Sequence, residues 1–271
     1  MKEFINEPYE SGEVLPNGMS KKFVGFSKAY REVFEAYGED ELCEIVGDGE
    51  ELSYEAAKEG EMYYAKGFLA KGLADGTVAI VGAWLQPNDL TTVRIPSSIS
   101  TTWHKINDED EGEEYKAILK VRQIGYYDTE WSTGWQFFVE NDETKESIVD
   151  SFTTLIISEG VKKIEEKCFG WKAYSLETVI LPSTLSSIGA YAFAGLNEIR
   201  LLYMKHNGVV TLEPLIGSPQ GDKQPFANNI PSYCNAFVPD SAVKSYEESE
   251  EWWWQQFVEN NNIISDKIIL K

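Results

Sequence analysis

The chain has 271 residues, 42% of them hydrophobic, and a formal net charge of −21 at neutral pH. This length and apolar content suffice for one large domain or two smaller ones, and exclude global disorder. The charge excludes nucleic acid and anionic membrane surfaces as partners, because binding would bring two polyanions together.

No apolar run approaches the ~20 residues of a membrane span, so no transmembrane segment is expected. The first twenty residues carry four glutamates and no apolar core of a secretory signal. The protein is therefore expected to be cytoplasmic, or to be exported by a signal that lies outside this sequence. Residues 1–22 contain Pro8, Gly12, Pro16 and Gly18 and read as an extended leading segment.

Phe26, Tyr30, Val33, Phe34 and Tyr37 then recur at helical spacing, so residues 26–37 are expected to form a helix with one aromatic face, ended by Gly38. A stripe of this kind is usually core. Ser53 is placed to cap a short helix through Glu59, and a strand is expected from about Met62, since Gly60, Gly67 and Gly72 weaken a continuous helix. Ala74-Asp-Gly-Thr-Val-Ala-Ile-Val-Gly82 reads as a turn followed by a β-branched strand.

The centre of the chain contains one unit written twice. Phe152, Leu155, Ile157, Val161, Ile164 and Phe169 recur as Leu176, Val179, Leu181, Leu185, Ile188 and Phe193, each 24 positions later (176 − 152, through to 193 − 169). A fixed offset of this length is the signature of a solenoid, in which each unit leaves an apolar face that only the next can cover. Leu90–Ser100 lines up with Leu176–Ser186, and both contain a proline, Pro96 or Pro182, placed to end a short strand. The stacked strands are expected to form one continuous sheet, with Val179 and Leu181 beside Leu155 and Ile157, and Phe169 stacked on Phe193.

The run Leu-x-x-Val-x-Leu-Pro-x-x-Leu-x-x-Ile-Gly-x-x-Ala-Phe, complete from Leu176 to Phe193, resembles the BspA-like leucine-rich-repeat family. Asp75-Gly-Thr-Val78 with Ile95-Pro96 is similar to the way such repeats begin, and Phe237-Val-Pro239 with Ser241, Val243 and Tyr246 is similar to their terminal cap. The resemblance covers about residues 75–257. It implies a short leucine-rich-repeat solenoid with a small N-terminal α+β cap over residues 1–74, and a repeat domain over residues 75–271 ending in a capping helix. It also implies a non-enzymatic binding or adhesion module on a bacterial surface, recognising a protein or a glycan. An accessory subunit of a glycan- or peptide-handling surface complex is the alternative.

The repeat breaks in three places. After Ile99 an insertion of about 20 residues carries the acidic run Asn107–Glu114, and the pattern resumes at Val121 and Ile124-Gly125. Residues 126–150 hold Tyr126, Tyr127, Trp131 and Trp135; between Ile199 and Phe226 the pattern loosens. Excursions from a solenoid map to surface loops, where function concentrates. Tyr126, Tyr127, Trp131 and Trp135 are therefore the leading binding residues, since aromatics bury large area at small entropic cost; packing the insertion onto the repeats is the competing reading. A helix from Asp240 to Phe257 would put Val243, Tyr246, Trp253, Trp254 and Phe257 on one inward face and leave Trp252 exposed as a further candidate.

Catalytic and metal chemistry find little raw material. Asp108 and Asp110 begin like a calcium loop, but Gly112 falls at the fifth position and Leu119 at the twelfth, where a glutamate is required. The two histidines, His104 and His206, lie in different excursions with no nucleophile motif beside them. No phosphate-binding or dinucleotide fingerprint occurs, so no cofactor is expected. Cys43, Cys168 and Cys234 have neither disulfide nor metal-ligand spacing. Cys168 takes the position of Ala192 in the next unit and reads as a small core residue.

Overall fold

The computed structural model describes residues 56–65, 68–83, 92–104, 114–127, 152–169, 175–216, 224–225, 231–260 and 262–268. In chain order its strands begin with β1 (Met62–Ala65), β2 (Phe68–Gly72), β3 (Val78–Ala83), β4 (Thr92–Ile95), β5 (Ser98–His104) and β6 (Glu114–Ile124). The repeats supply β7 (Thr154–Ile157), β8 (Lys163–Ile164), β9 (Thr178–Leu181), β10 (Ser187–Gly189), β11 (Leu201–Met204) and β12 (Thr211–Glu213). β13 (Asn235–Val238) leads to helices α1 (Val243–Glu247) and α2 (Trp252–Glu259), then β14 (Ile263–Ser265) and a 3-10 turn at Asp266–Ile268.

Each coil contributes one strand to each of two sheets. The first sheet runs β4, β7, β9, β11, β13, β14, all parallel. The second runs β3, β6, β8, β10, β12 in parallel, with β2 and β1 added antiparallel beyond β3. This corrects the expectation of one continuous sheet. The x-x-Ile-Gly half of each unit is also extended, but a strand as short as Lys163–Ile164 leaves no periodicity to read.

The core lies between the sheets. Alternation along each strand sends Val93, Leu155, Val179, Leu202 and Ala236 inward in one row, and all are buried. Ile124, Ile164, Ile188 and Leu212 form the facing row from the second sheet. Val179 stands opposite Leu155 as the offset requires. The Phe169 and Phe193 rings stack with centroids 5.4 Å apart, a contact that adds about 0.5–1.5 kcal/mol to their burial. Pro96 and Pro182 follow the last residues of β4 and β9, ending ladders to which they cannot donate.

The interruption after Ile99 is a β-hairpin: β5 and β6 pair antiparallel from Ser98 opposite Lys120 to His104 opposite Glu114. Beyond Lys120, β6 passes into the second sheet, where Ile124 lies opposite Ile80 on one side and Ile164 on the other. The pattern thus resumes at Val121 and Ile124-Gly125, as expected. β11 and β12 still continue both sheets past Ile199; the spacing opens after them, where Leu202 lies opposite Ala236, 34 positions on (236 − 202), and residues 217–223 and 226–230 of that stretch lie outside the described residues. The offset simply slips to 23 in the first sheet, Leu202 opposite Val179, and returns to 24 in the second, Leu212 opposite Ile188.

Two helical expectations are corrected. Residues 56–60 lead into a turn instead of completing a helix; Gly60 has φ +79° there, a conformation only glycine takes without strain. The helix from Asp240 is two helices, broken at residues 248–251, where four glutamates among residues 247–251 crowd like charge onto successive turns. Asp240 does not cap α1; its carboxylate accepts hydrogen bonds from Ser265 Oγ and Lys267 Nζ. The inward face survives the break, with Tyr246, Trp253, Trp254 and Phe257 buried and Val243 half-buried.

The Ile188-Gly189 step has a steric cause. A Cβ on Gly189 would lie 2.4 Å from the Glu166 backbone nitrogen in the preceding coil. Gly189→Ala is therefore expected to cost about 1–3 kcal/mol, read as a lowered urea midpoint in equilibrium unfolding. An unchanged midpoint would show that the coils have room to separate.

Candidate functional site

The most informative place is where the chain leaves the second sheet after β6. Gly125 turns the chain with φ +78°, and a Cβ there would come within 2.2 Å of Cys168 Sγ and 2.9 Å of Glu165 Cβ. The tight turn delivers Tyr126 and Tyr127 to the sheet surface. The Lys71 ammonium, from β2, sits 4.0 Å from the centroid of the half-buried Tyr126 ring, a cation–π contact worth about 0.5–1 kcal/mol at such a site. Tyr127 is 37% exposed. Trp131 and Trp135 lie outside the described residues, as do Cys43, residues 107–113 of the acidic run and the side chains of Glu114 and His104.

Trp252 opens α2, but its side chain is also outside the described residues. Its neighbours Trp253 and Trp254 are 3% and 0% exposed and pack edge-on to one another with centroids 4.4 Å apart. Trp254 also meets Tyr246 edge-on at 5.0 Å. The Tyr246 hydroxyl accepts the N–H of Val210 at 3.2 Å, just ahead of β12, the last strand of the second sheet. The helices thus pack their aromatic face onto the core beside β12.

Sequence reasoning missed a polar cluster on the outer face of the second sheet. Lys163 Nζ lies 2.8 Å from Glu165 Oε1 and 3.0 Å from Glu213 Oε2, joining two coils. Gln123 Nε2 donates to the same Glu165 oxygen at 3.0 Å. Glu166, 4% exposed, accepts the N–H of Ile216 at 2.8 Å and an ion pair from Lys167 at 3.3 Å. The alternation that puts Ile124 and Ile164 inward puts Gln123, Lys163 and Glu165 outward, so the second strand of the repeat was the signal required. Burial pushes the Glu165 carboxyl up from its usual 4.5, more than Lys163 pulls it down. Burial lowers the Lys163 ammonium, but the carboxylates of Glu165 and Glu213 outweigh it and the net shift is upward. Each charge is met by its opposite, so the cluster fastens adjacent coils together.

A second polar row follows the turns after the first sheet. Glu159 accepts from Ser183 N at 3.0 Å and Ser183 Oγ at 2.7 Å, and His206 Nδ1 lies 2.9 Å from the Ser183 carbonyl. Cys168 and Cys234 are buried, and burial pushes both thiols up, away from the reactive thiolate. Among the described residues no three His, Cys, Asp or Glu side chains converge as a metal site, and no helix is long and apolar enough to cross a membrane.

Residues 147–213 match the family described as the BspA type leucine rich repeat region (6 copies); these residues are a BspA-type leucine-rich-repeat region. The match takes in the doubled unit and the coil after it. The chain is also similar to a leucine rich cell surface protein from Faecalibacterium prausnitzii A2-165, at 17% identity and a TM-score of 0.36 over 69% of this chain and 45% of that one. A leucine-rich repeat protein from Bacteroides ovatus ATCC 8483 gives 17% identity and a TM-score of 0.35 over 66% and 38%. The pneumococcal vaccine antigen PcpA gives 12% and 0.29 over 69% and 48%. The chain spans less than half the length of each of these proteins. No curated protein matches it.

The Glu165 shift fixes the sign of a pH effect. A carboxyl whose folded value is raised stabilises the folded state most when protonated, and that contribution is lost as pH rises from 4.5 through the raised value. Glu165→Gln is expected to flatten this part of the stability profile, measured by thermal unfolding across a pH series. A variant that keeps the wild-type slope there would place the titration elsewhere.

Proposed function

We propose that the chain is a non-catalytic binding module displayed on a cell surface, with residues 1–74 as leading segment and cap and residues 75–271 as the binding repeat domain. The observation that carries this reading is the Tyr126–Tyr127 pair. It sits ahead of the BspA-type repeats of residues 147–213, with Tyr127 37% exposed and Lys71 against the Tyr126 ring. Tyr126, Tyr127, Trp131 and Trp135 form the contact surface in this reading, with Trp252 as a contact on the terminal helix. Aromatic anchors flanked by a cation suit either a protein partner or the apolar face of a sugar. The repeats hold this surface rigid, which lowers the entropy lost on binding. Export and attachment to the bacterial surface go with the repeat type, and the charge of −21 keeps such a module soluble and self-repelling. Its role as an accessory subunit of a glycan- or peptide-handling complex is the second reading, favoured by the same aromatic pair if the partner is a neighbouring subunit.

Two measurements test the proposal. The purified chain should bind cultured epithelial cells or a glycan array, and Tyr127→Ala combined with Trp131→Ala and Trp135→Ala should lower binding at least tenfold, roughly 1.4 kcal/mol, with the melting profile preserved. In producing cells the protein should be cut by added protease. Protection from protease in intact cells, together with unchanged binding by the triple variant, would defeat the surface-binding reading.

A further inference from the structure

The turn between β11 and β12 carries Asn207 followed by Gly208. In this pair the side-chain amide is within easy reach of the next main-chain nitrogen, because glycine has no Cβ to obstruct the approach. The surroundings of Asn207 add to that intrinsic reactivity. Asn207 is exposed, in a bend outside both sheets. Its Oδ1 accepts a hydrogen bond at 2.5 Å from the hydroxyl of Ser241, which stands just ahead of α1. Gly208 has φ +144°, a backbone conformation that side chains disfavour. Among the described residues beyond its chain neighbours, only His206 comes within 4 Å of a Cβ built on Gly208, with Nε2 at 3.8 Å and Cδ2 at 3.9 Å. The preceding coil holds that ring, since His206 Nδ1 lies 2.9 Å from the Ser183 carbonyl. A carbonyl only accepts, so Nδ1 carries the proton, and the neutral ring keeps its lone pair on Nε2, the atom facing Gly208.

We propose that Asn207 is a self-modification site, at which the Gly208 nitrogen cyclises onto the side-chain amide and water then opens the ring to aspartate and isoaspartate. In the first step the Gly208 nitrogen bonds to Asn207 Cγ as its proton passes to His206 Nε2. The Cγ–Nδ2 bond then breaks, and Nδ2 takes that proton from the imidazole and leaves as ammonia. His206 thus acts first as base and then as acid. Between these events negative charge grows on Oδ1, where the Ser241 hydroxyl already donates. A donor in place before the charge appears stabilises it without reorganising. In the second step water adds to the cyclic imide. Attack at Cγ breaks the Cγ–N bond and gives aspartate. Attack at the Asn207 main-chain carbonyl carbon breaks its bond to nitrogen and leaves Gly208 joined through Cγ, as isoaspartate. Either product adds one negative charge to the turn, and isoaspartate adds one main-chain carbon where the coil passes from the first sheet to the second. This inference does not depend on the binding role of Tyr126 and Tyr127.

The test incubates the folded full chain at neutral pH in water enriched in heavy oxygen. Peptide mass spectrometry is expected to find the amide-to-acid conversion and the incorporated label at Asn207, in both aspartate and isoaspartate forms. The same chain held unfolded in guanidinium chloride supplies the reference rate, because there Ser241 and His206 are no longer beside Asn207. The folded chain is expected to react several-fold faster. Ser241→Ala and His206→Gln should each remove that advantage with the melting profile preserved, and Ser241→Thr, which keeps the hydroxyl, should retain it. A folded rate no higher than the unfolded one would overturn the proposal. So would a Ser241→Ala or His206→Gln chain as fast as the parent, or a Ser241→Thr chain as slow as Ser241→Ala.

Discussion

The structure depends on one constraint: no coil can bury its own apolar side chains. A unit such as Phe152–Phe169 is a strand, a turn and a second strand of two residues, with no interior of its own. Its Leu155 and Ile164 become buried only because the next coil presents Val179 and Ile188 at the same height. Backbone and side chain impose the same register, since the hydrogen bonds that pair Thr154 with Thr178 also set Phe169 on Phe193. A coil slipped by one residue would lose both at once. That coupling holds the rhythm near 24 residues and demands glycine at position 189, which lies against the Glu166 backbone, and at position 125, which lies against the Cys168 and Glu165 side chains.

A stack of this kind needs ends. At the C-terminal end, α1 and α2 follow β13, with Tyr246 accepting the backbone donor of Val210 and Trp254 fully buried. β14 then returns to extend the first sheet by one strand. At the other end the second sheet continues through β3 into the antiparallel β2 and β1. Gly60, Gly72 and Ala57 tie residues 56–60 to the β2–β3 turn through backbone hydrogen bonds, among them Ala57 N–H to the Gly76 carbonyl at 2.7 Å. Among the described residues the two ends differ, with helices beside the last strands and an antiparallel hairpin beside β3.

Much of the first sheet was legible from the apolar offset, because its four-residue strands β7 and β9 repeat their apolar side chains 24 positions apart. The second sheet was not, since a strand of two or three residues carries no period. For the same reason the cluster of Lys163, Glu165 and Gln123 was invisible: its members gather only once the second strands are known to stand side by side. The terminal helix was read with the right inward face and the wrong continuity. Helical spacing still relates Tyr246 to Trp253 across the break, while the like charges that cause it leave no mark on an apolar pattern. Of the candidate binding residues, Tyr126 and Tyr127 directly follow the Gly125 turn at the end of β6, and Trp131 and Trp135 lie outside the described residues.

The distribution of these groups narrows where recognition can occur. The inner faces of both sheets are filled by the core. The outer face of the second sheet is occupied by ion pairs that fasten one coil to the next, and charges already neutralised by neighbours offer a partner little. The turns after the first sheet are likewise bound to one another, Glu159 to Ser183 and Asp240 to Ser265 and Lys267. Regular repeats thus spend their polar groups on their own continuity. Just past the hairpin that breaks the rhythm, Tyr127 is left 37% exposed.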